Sequence, residues 1–417
     1  MQIIILAAGN STRFYPFNTQ HKSCLKILGK TILEHTIESV KKAGIEDIIL
    51  VIKDDEIKKL FGDGSRLGVH MTYVIQEESL GAGDAILKAK EHIHDDFFVI
   101  WGNRIEFFDF ADLLVVGKKQ KNAGAVLVKE TQQIEGVGVA IVENEKLMDI
   151  IEKPEITASP SYTKIVGIYL LPKLFLQTLV SVPLEHYSFE KALVAYTKTN
   201  PIYAIKTTKK TISLKYPWDI LQVKDYLLGE ISSHRGEQVT IADSAVITGD
   251  VFISDGVTIM EQVTIKGPCY IGKNAYIGTN AILRNKTIIE ENVVVGANME
   301  IKNSAVLKGT TTHSGFIGDS IIGENCKVAA YFCTANVRLD REAVQVTVVG
   351  KEVNSHLKTL GVIMGDTVKI GVRVTTMPGK VIGRNVTVGA QTSVLHNIED
   401  NINYFTKFAE VVEKKKK

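Results

Sequence analysis

Two rhythms of apolar and polar residues follow one another along the chain. Up to about residue 228, short β-branched runs alternate with amphipathic stretches. Ile3 to Leu6, Asp47 to Ile52, Met71 to Ile75, Phe97 to Trp101 and Ala125 to Val128 read as strands. Between the first two lies ILEHTIESVKKAG, which places Ile32, Leu33, Thr36, Ile37 and Val40 on one helical face, with Gly44 as the stop. Strands alternating with helices predict a parallel sheet covered on both faces, and such sheets bind ligands beyond the carboxyl ends of their strands.

After a helix expected to end near residue 234 the period becomes six. Ile241, Ile247, Ile253, Ile259, Ile265, Ile271, Ile277, Leu283, Ile289, Val295, Ile301 and Leu307 are aliphatic in unbroken succession. Neither a helix nor a flat strand has this period, whereas a solenoid whose short faces each turn one aliphatic residue inward does. Gly272, Gly278 and Gly296 directly follow inward positions, where corners between faces are expected. The phase fails near 308–316, returns at IGDSIIGEN, fails again over 329–361 and resumes at Met364, Ile370, Thr376, Ile382, Val388 and Val394. The middle interruption reads as a loop thrown out of the coil, and loops on rigid scaffolds are where sites collect.

Composition narrows the class without changing this division. A chain of 417 residues exceeds what one core serves, and 45% hydrophobic with 23% charged residues is an ordinary soluble balance. The net charge of +2 provides no field for nucleic acid or lipid headgroups, so neither is expected as a partner and a nucleotide here is a small ligand. MQIIILAA is too short for a signal peptide or a membrane span and reads as a buried strand, which points to the cytoplasm. Cys24, Cys269, Cys326 and Cys333 form no CxxC pair or metal-ligand spacing, which fits a reducing compartment and packing roles. The closing KKKK reads as a solvated tail.

The chemistry-bearing segments come in a fixed order. LAAGNSTRF, from Leu6, follows the first strand and leads into a polar loop ending in HKSCLKILGK. A loop of small residues lets backbone N–H groups approach a triphosphate, and a fixed cation offsets charge that builds on the α-phosphate. The segment resembles the LAAGxGTR…PK signature of sugar nucleotidylyltransferases. By that resemblance Leu6, Ala8 and Gly9 line the nucleotide, Arg13 contacts the β- and γ-phosphates, and Lys22 stabilises the pentavalent α-phosphorus. QEESLGAGDAI resembles the block in which Gln76 and Gly81 read the base. Gly138 in GVGVAI stands where a backbone amide holds the sugar. Glu152 and Lys153 in IEKP match the pair that binds sugar hydroxyls and sugar phosphate.

The resemblance also implies a divalent cation, usually magnesium, held by two acidic positions. The second is Asp219 in YPWDIL; the first is occupied by Asn103 in VIWGNRIEF. An amide oxygen is a poorer ligand for a hard cation than a carboxylate. Ser11 replaces a loop glycine and Ala82 a threonine.

The period-six half resembles the hexapeptide-repeat left-handed parallel β-helix, a family that usually trimerises with acyl-CoA sites between subunits. GFIGDSIIGEN, TANVRLD, VTVVGKEVNS and KTLGVIMGDTVKIGVRVTTMPGKVIG resemble the bifunctional archaeal-type enzymes that also acetylate an amino-sugar phosphate. The match implies acetyl-CoA as co-substrate, His313 as the base that takes a proton from the amine, and Asn336 as a substrate-binding residue. Ala329, Ala330, Tyr331 and Phe332 stand where that family has a small-residue GAGT corner, placing rings beside the site. Phe316 replaces the tyrosine that follows the base, and Glu342 and Gln345 replace phosphate-facing lysines.

The sequence therefore reads as an α/β Rossmann-like nucleotidyltransferase domain over 1–228, a connecting helix and linker over 229–238, a left-handed parallel β-helix over 239–400, and a tail over 401–417. The expected activity is transfer of a nucleotidyl group from UTP or dTTP to a hexose or N-acetylhexosamine 1-phosphate, with release of pyrophosphate and an added acetyl transfer. Two other readings stand beside it: a catalytically eroded binding or regulatory protein of the same fold, and an enzyme that keeps acyl transfer alone.

Overall fold

The computed structural model describes residues 1–132, 138–152, 161–409 and 412. By contacts the chain forms two compact units that cut across the continuous stretches just given. One contains residues 1–10 and 31–212; the other contains 11–30 and 213–417. Among the described residues no helix is long and apolar enough to cross a membrane.

The first unit is an α/β layer structure. Its strands are β1 (Gln2–Ala7), β2 (Asp47–Ile52), β3 (His70–Ile75), β4 (Phe97–Trp101), β5 (Gly124–Thr131), β6 (Gly138–Glu143), β7 (Lys146–Glu152), β8 (Tyr162–Leu171) and β9 (Ile202–Lys206). They order as β3-β2-β1-β4-β8-β5-β9-β7-β6. β1 to β4 are mutually parallel, as the alternation of strands and helices predicts. The sheet as a whole is mixed, because β8 runs antiparallel to both β4 and β5. β1 is buried at all six positions, as a strand covered on both faces must be. The helix read from its apolar face is α1 (Ile32–Lys42), capped by the Thr31 hydroxyl, which accepts from the Glu34 N–H at 3.0 Å. Gly44 follows at a φ of +77°. The remaining helices that bear on the site are α2 (Ala82–Ala89), α3 (Phe108–Gly117), α4 (Phe175–Ser181) and α5 (Ser188–Thr197).

The second unit is the solenoid. Its short strands stack into three parallel sheets, one per face of the coil. Ile253 pairs with Ile271 and Ile271 with Ile289, so one coil is three hexads. The inward series from Ile253 to Ile301 is buried in a single cluster that continues through Met364, Ile370, Ile382, Val388 and Val394. The reading slips at one place: Ile289 stacks on Val306, not Leu307, because that coil is one residue short. The corner glycines owe their identity to crowding between coils. A Cβ on Gly296 would come within 2.1 Å of the His313 carbonyl oxygen, and one on Gly272 within 2.6 Å of the Glu290 backbone. The left-handed turns themselves fall to Asn274, Asn292, Asn325 and Asn385, with φ between 53° and 58°.

Three other boundaries differ from the sequence reading. The helix before the coil, α6 (Ile220–Gly229), ends before residue 234, and His234–Arg235 already pairs with the next coil. The excursion begins at 335, since Phe332–Thr334 still stacks on Gly315 and Phe316 below and on Thr375 and Thr376 above. It carries an antiparallel hairpin, Gln345–Val348 with Lys351–Asn354. The last strand, Asn403–Tyr404, extends the stack past residue 400. The four closing lysines lie outside the described residues. Cys24, Cys269 and Cys326 are buried as packing residues, whereas Cys333 is exposed.

The outward side of one face is also apolar and buried: Ile288, Ala305, Ile321 and Ile363 are wholly inaccessible. Lys224 of α6, itself 0% exposed, lies against this side. Its ammonium donates to the Lys286 carbonyl at 2.7 Å and to Asn303 Oδ1 at 2.8 Å, and pairs with Asp225 at 2.8 Å. Burial lowers the pKa of Lys224 against the opposing pull of Asp225.

Leu283 is inaccessible inside the coil, and Leu339 is fully exposed on the excursion. Leu283→Ala is expected to cost about 2–5 kcal/mol in denaturant-midpoint measurements, and Leu339→Ala less than about 0.5 kcal/mol.

Candidate nucleotidyl-transfer and acyl-transfer residues

In the α/β unit the positions read for nucleotide and sugar follow strand ends. Leu6 lies next to the end of β1 with its side chain buried, Ala8 is buried and Gly9 exposed. The Leu6 carbonyl accepts from Gly102 N–H at 3.0 Å, which sets the turn bearing Asn103 beside the first loop. Asn103 is buried. Ser79 donates to the Ala8 carbonyl at 2.9 Å and so joins the loop after β3 to the same place. Gln76, just past β3, is 4% exposed; its amide donates to Asp84 Oδ2 at 2.8 Å and to the Gly81 carbonyl at 3.0 Å. Those bonds orient its remaining carbonyl oxygen. Gly81 caps α2 at a φ of +103°, and a Cβ there would lie 2.3 Å from the His186 carbonyl oxygen, so only glycine fits.

Gly138 and Glu152 are direct partners across β6 and β7. A Cβ on Gly138 would meet Glu152 Oε1 at 2.4 Å, so the missing side chain makes room for that carboxylate. Lys153 lies outside the described residues. Around these positions the fold gathers groups that no motif announced. Gly167 interrupts β8 at a φ of +90°, with the Trp101 ring and Arg104 Nη2 about where a Cβ would be, at 3.0 and 3.1 Å. Arg104 donates through Nη1 to the Ile212 carbonyl at 2.5 Å and pairs with the wholly buried Glu106 at 3.4 Å. Burial, then the charges of Lys129 and Arg104, lowers the pKa of Lys164. Tyr169 packs edge-on against Phe189 at 5.0 Å.

In the second unit, Arg13, Lys22 and Asp219 come together around residues 214–219. Ser11 takes a left-handed φ of 47°, a conformation the family glycine adopts freely. Its hydroxyl accepts from the Lys22 N–H at 3.0 Å, which offsets part of the conformational cost. The Lys22 ammonium donates to the Leu214 carbonyl at 2.7 Å. The Arg13 guanidinium lies 5.9 Å from the centre of the Tyr216 ring, which stacks on Trp218 at 4.5 Å. Asp219 Oδ2 accepts from the N–H groups of Lys215 and Tyr216 at 2.6 and 2.9 Å. Burial raises its pKa, opposed by those two N–H groups and by the charges of Lys215 and Lys22.

On the coil, His313 is exposed on the turn before strand Gly315–Gly318. Gly318 is flanked by the Phe316 ring and by Asn336 Nδ2, at 2.6 and 3.0 Å from its would-be Cβ. Asn336 donates to Asp319, and the same buried carboxylate accepts from Asn303 at 2.6 Å, Thr359 at 3.0 Å and Lys302 at 3.2 Å. Asp319 therefore anchors the start of the excursion, and one of the two Asn336 amide hydrogens is spent on it. Of the two rings expected in the corner, Tyr331 is there, 64% exposed at a φ of 61° under Arg373. Phe332 is not: it is inaccessible and fills the coil core. Glu342 is exposed and Gln345 opens the hairpin.

Glu190 of α5 has a buried Oε2 without a hydrogen-bond partner among the described residues. Burial, with repulsion from Glu152, pushes its pKa up to about 7 from 4.5. A raised carboxyl pKa favours the fold in the protonated form, so Glu190 weakens stability progressively as pH climbs from about 4.5 to 7. Glu190→Gln is expected to melt higher than the native protein at pH 8, with the gap closing by pH 4, as read by calorimetry.

Residues 2–227 match the nucleotidyl transferase family model, and residues 265–360 match the GMPPB C-terminal domain model. The chain is 40% identical to the bifunctional protein GlmU of Methanococcus maripaludis strain C7 over the full length of both. It is 35% identical to the bifunctional protein GlmU of Methanocaldococcus jannaschii over 96% of each chain. It is 31% identical to the bifunctional sugar-1-phosphate nucleotidylyltransferase/acetyltransferase of Sulfurisphaera tokodaii over 92% of this chain and 94% of that one. With matches that run through both the sheet and the coil, the chain belongs to the GlmU-type family of bifunctional sugar-1-phosphate nucleotidylyltransferase/acetyltransferases.

Proposed function

We propose that this protein transfers a nucleotidyl group from UTP or dTTP to a hexose or N-acetylhexosamine 1-phosphate and releases pyrophosphate. The observation that carries this reading is the grouping of Arg13, Lys22 and Asp219 about residues 214–219. A phosphate oxygen of the sugar 1-phosphate attacks the α-phosphorus in line, and the bond to the β-phosphate breaks. The Lys22 ammonium takes the charge that grows on the α-phosphate, and Arg13 neutralises the leaving pyrophosphate. Backbone groups at Leu6, Ala8 and Gly9 cradle the nucleotide, Gln76 and Gly81 read its base, and Gly138, Glu152 and Lys153 hold the sugar phosphate.

Magnesium is the cation this chemistry uses, and it neutralises phosphate charge when bound. Among the described residues there is no group of three or more acidic, histidine or cysteine side chains able to hold a metal. By the family resemblance Asp219, whose Oδ2 accepts two backbone N–H bonds, and Asn103 are the residues that would hold it.

The coil carries the second activity, acetyl transfer from acetyl-CoA to an amino-sugar phosphate. There the exposed His313 imidazole removes the amine proton, Asn336 holds substrate, and neighbouring copies of the coil complete a homotrimer in the cytoplasm. Asn103 favours a second reading for the nucleotidyl half, that of an eroded regulatory or nucleotide-sugar-binding protein.

Pyrophosphate release from UTP or dTTP with a panel of sugar 1-phosphates and magnesium separates the two. Native turnover should fall about 10²- to 10³-fold in Lys22→Ala. Asn103→Asp should lower the magnesium concentration needed for half-maximal rate. Release by Asn103→Asp but none by the native chain would establish the eroded reading. For the coil, acetyl-CoA consumption with an amino-sugar phosphate should fall about 10²-fold or more in His313→Ala; an unchanged rate removes the histidine from the mechanism.

A further inference from the structure

By contacts, the segment that carries Arg13 and Lys22 falls in the unit that contains the solenoid. At its far end, Leu28 and Gly29 both adopt left-handed φ values, 54° and 77°. They form the tight turn that joins the paired strands Lys26–Ile27 and Lys30–Thr31, and the N–H groups of such a turn can receive a carboxyl. That carboxyl is Glu290, at the corner after Thr287–Ile289: Leu28 N–H donates to Oε1 at 2.6 Å and Gly29 N–H to Oε2 at 3.0 Å, and burial pushes the Glu290 pKa up to about 7 against those two bonds. Glu290 is 3% exposed, so an unmet carboxylate there would be costly. Gly29 also lies against the Tyr270 hydroxyl, close enough that a Cβ would stand 2.7 Å from it.

At the near end, the Tyr15 hydroxyl donates to Asp400 Oδ1 at 2.8 Å. Asp400 is held by Arg384, whose N–H donates to Oδ1 at 2.7 Å and whose guanidinium pairs with Oδ2. The same guanidinium lies 5.9 Å from the Tyr15 ring centre. Pro16 meets Gly365 one coil below.

The two fastenings are five coil pairings apart, from Ile289 through Val306, Ile322, Met364 and Ile382 to Ile398. That is roughly 24 Å along the stack at the usual interstrand spacing. Lys22 lies between them in sequence, held by its bonds to Ser11 and to the Leu214 carbonyl. A leucine held in the left-handed region is itself informative, since it costs about 1–2 kcal/mol unless something fixes it there.

We propose that Glu290 and Asp400 are positioning residues for nucleotidyl transfer: acting through Leu28, Gly29 and Tyr15, they stretch residues 11–30 along the coil and so set where Arg13 and Lys22 stand. The coil is then a working part of the nucleotidyl reaction besides carrying its own chemistry. This rests on the nucleotidyl-transfer reading above. A cation misplaced by about 1 Å can lose about 10²-fold in rate, which sets the size of the effect.

The test uses the full-length protein and two shape-conserving changes that leave Arg13 and Lys22 intact. Glu290→Gln removes one of the two acceptors, and Tyr15→Phe removes the hydroxyl alone. Steady-state pyrophosphate release is measured with whichever of UTP or dTTP the native protein uses faster, together with amide exchange of residues 11–30 and the thermal midpoint. The double variant should exchange Leu28 and Gly29 amides at least tenfold faster. It should also lose about 10- to 100-fold in kcat/KM for the triphosphate, with the KM for the sugar 1-phosphate within twofold of native. Overturning results are of three kinds: unchanged exchange, released amides with unchanged triphosphate kinetics, or an equal loss for both substrates with a lowered melting point, which marks general damage. Failure of the native protein to turn over or bind either triphosphate removes the nucleotidyl reading itself, and the inference with it, before any variant is compared.

Discussion

No coil of the solenoid can bury its own side chains, and this constraint shapes the protein. Most turns offer three inward aliphatic residues and a ring of backbone donors and acceptors, and these find partners largely in the turns above and below. Because every strand is two to four residues long, stability accumulates along the stack and not within a face. The stack then serves as a rigid rail. Its one apolar outer side, Ile288, Ala305, Ile321 and Ile363, is covered, and Lys224, Pro16 and Gly29 all reach it or its corners.

The chemistry follows from where charge is left exposed and where it is spent. Asp319 and Glu290 are buried carboxyls engaged in holding the chain together, Asp319 through four side-chain donors and Glu290 through two backbone N–H groups. Asp219 uses one oxygen to cap the turn before α6. Glu190 is the opposite case, a carboxyl with a buried oxygen that nothing in the described residues satisfies. Arg104, next to Asn103 in the chain, pairs with the buried Glu106, and its charge, after burial and that of Lys129, lowers the pKa of Lys164.

The strands β1 to β4, the helix α1 and the inward ladder of the coil were legible in the sequence, because a residue's partners there recur at a fixed spacing and the pattern survives in one dimension. Gln76 just past β3, Gly81 at the cap of α2, and Gly138 and Glu152 paired across β6 and β7 were singled out by motif resemblance, not by spacing. What spacing could not give was any contact whose two ends are far apart in the chain and not repeated. Phe332 read as a corner residue because it stands where the resembled family has a small-residue corner; stacking turned it into the core. The one-residue slip at Val306 was invisible because Leu307 is just as aliphatic.

By itself, then, the sequence determined the two architectures, their order and the residue types available for phosphate and sugar, since these depend on period and composition. Only the tertiary structure decided that residues 11–30 belong with the coil. The bonds that place them, Leu28 and Gly29 to Glu290 and Tyr15 to Asp400, close across hundreds of residues between single side chains, and no periodicity encodes a pairing that occurs once.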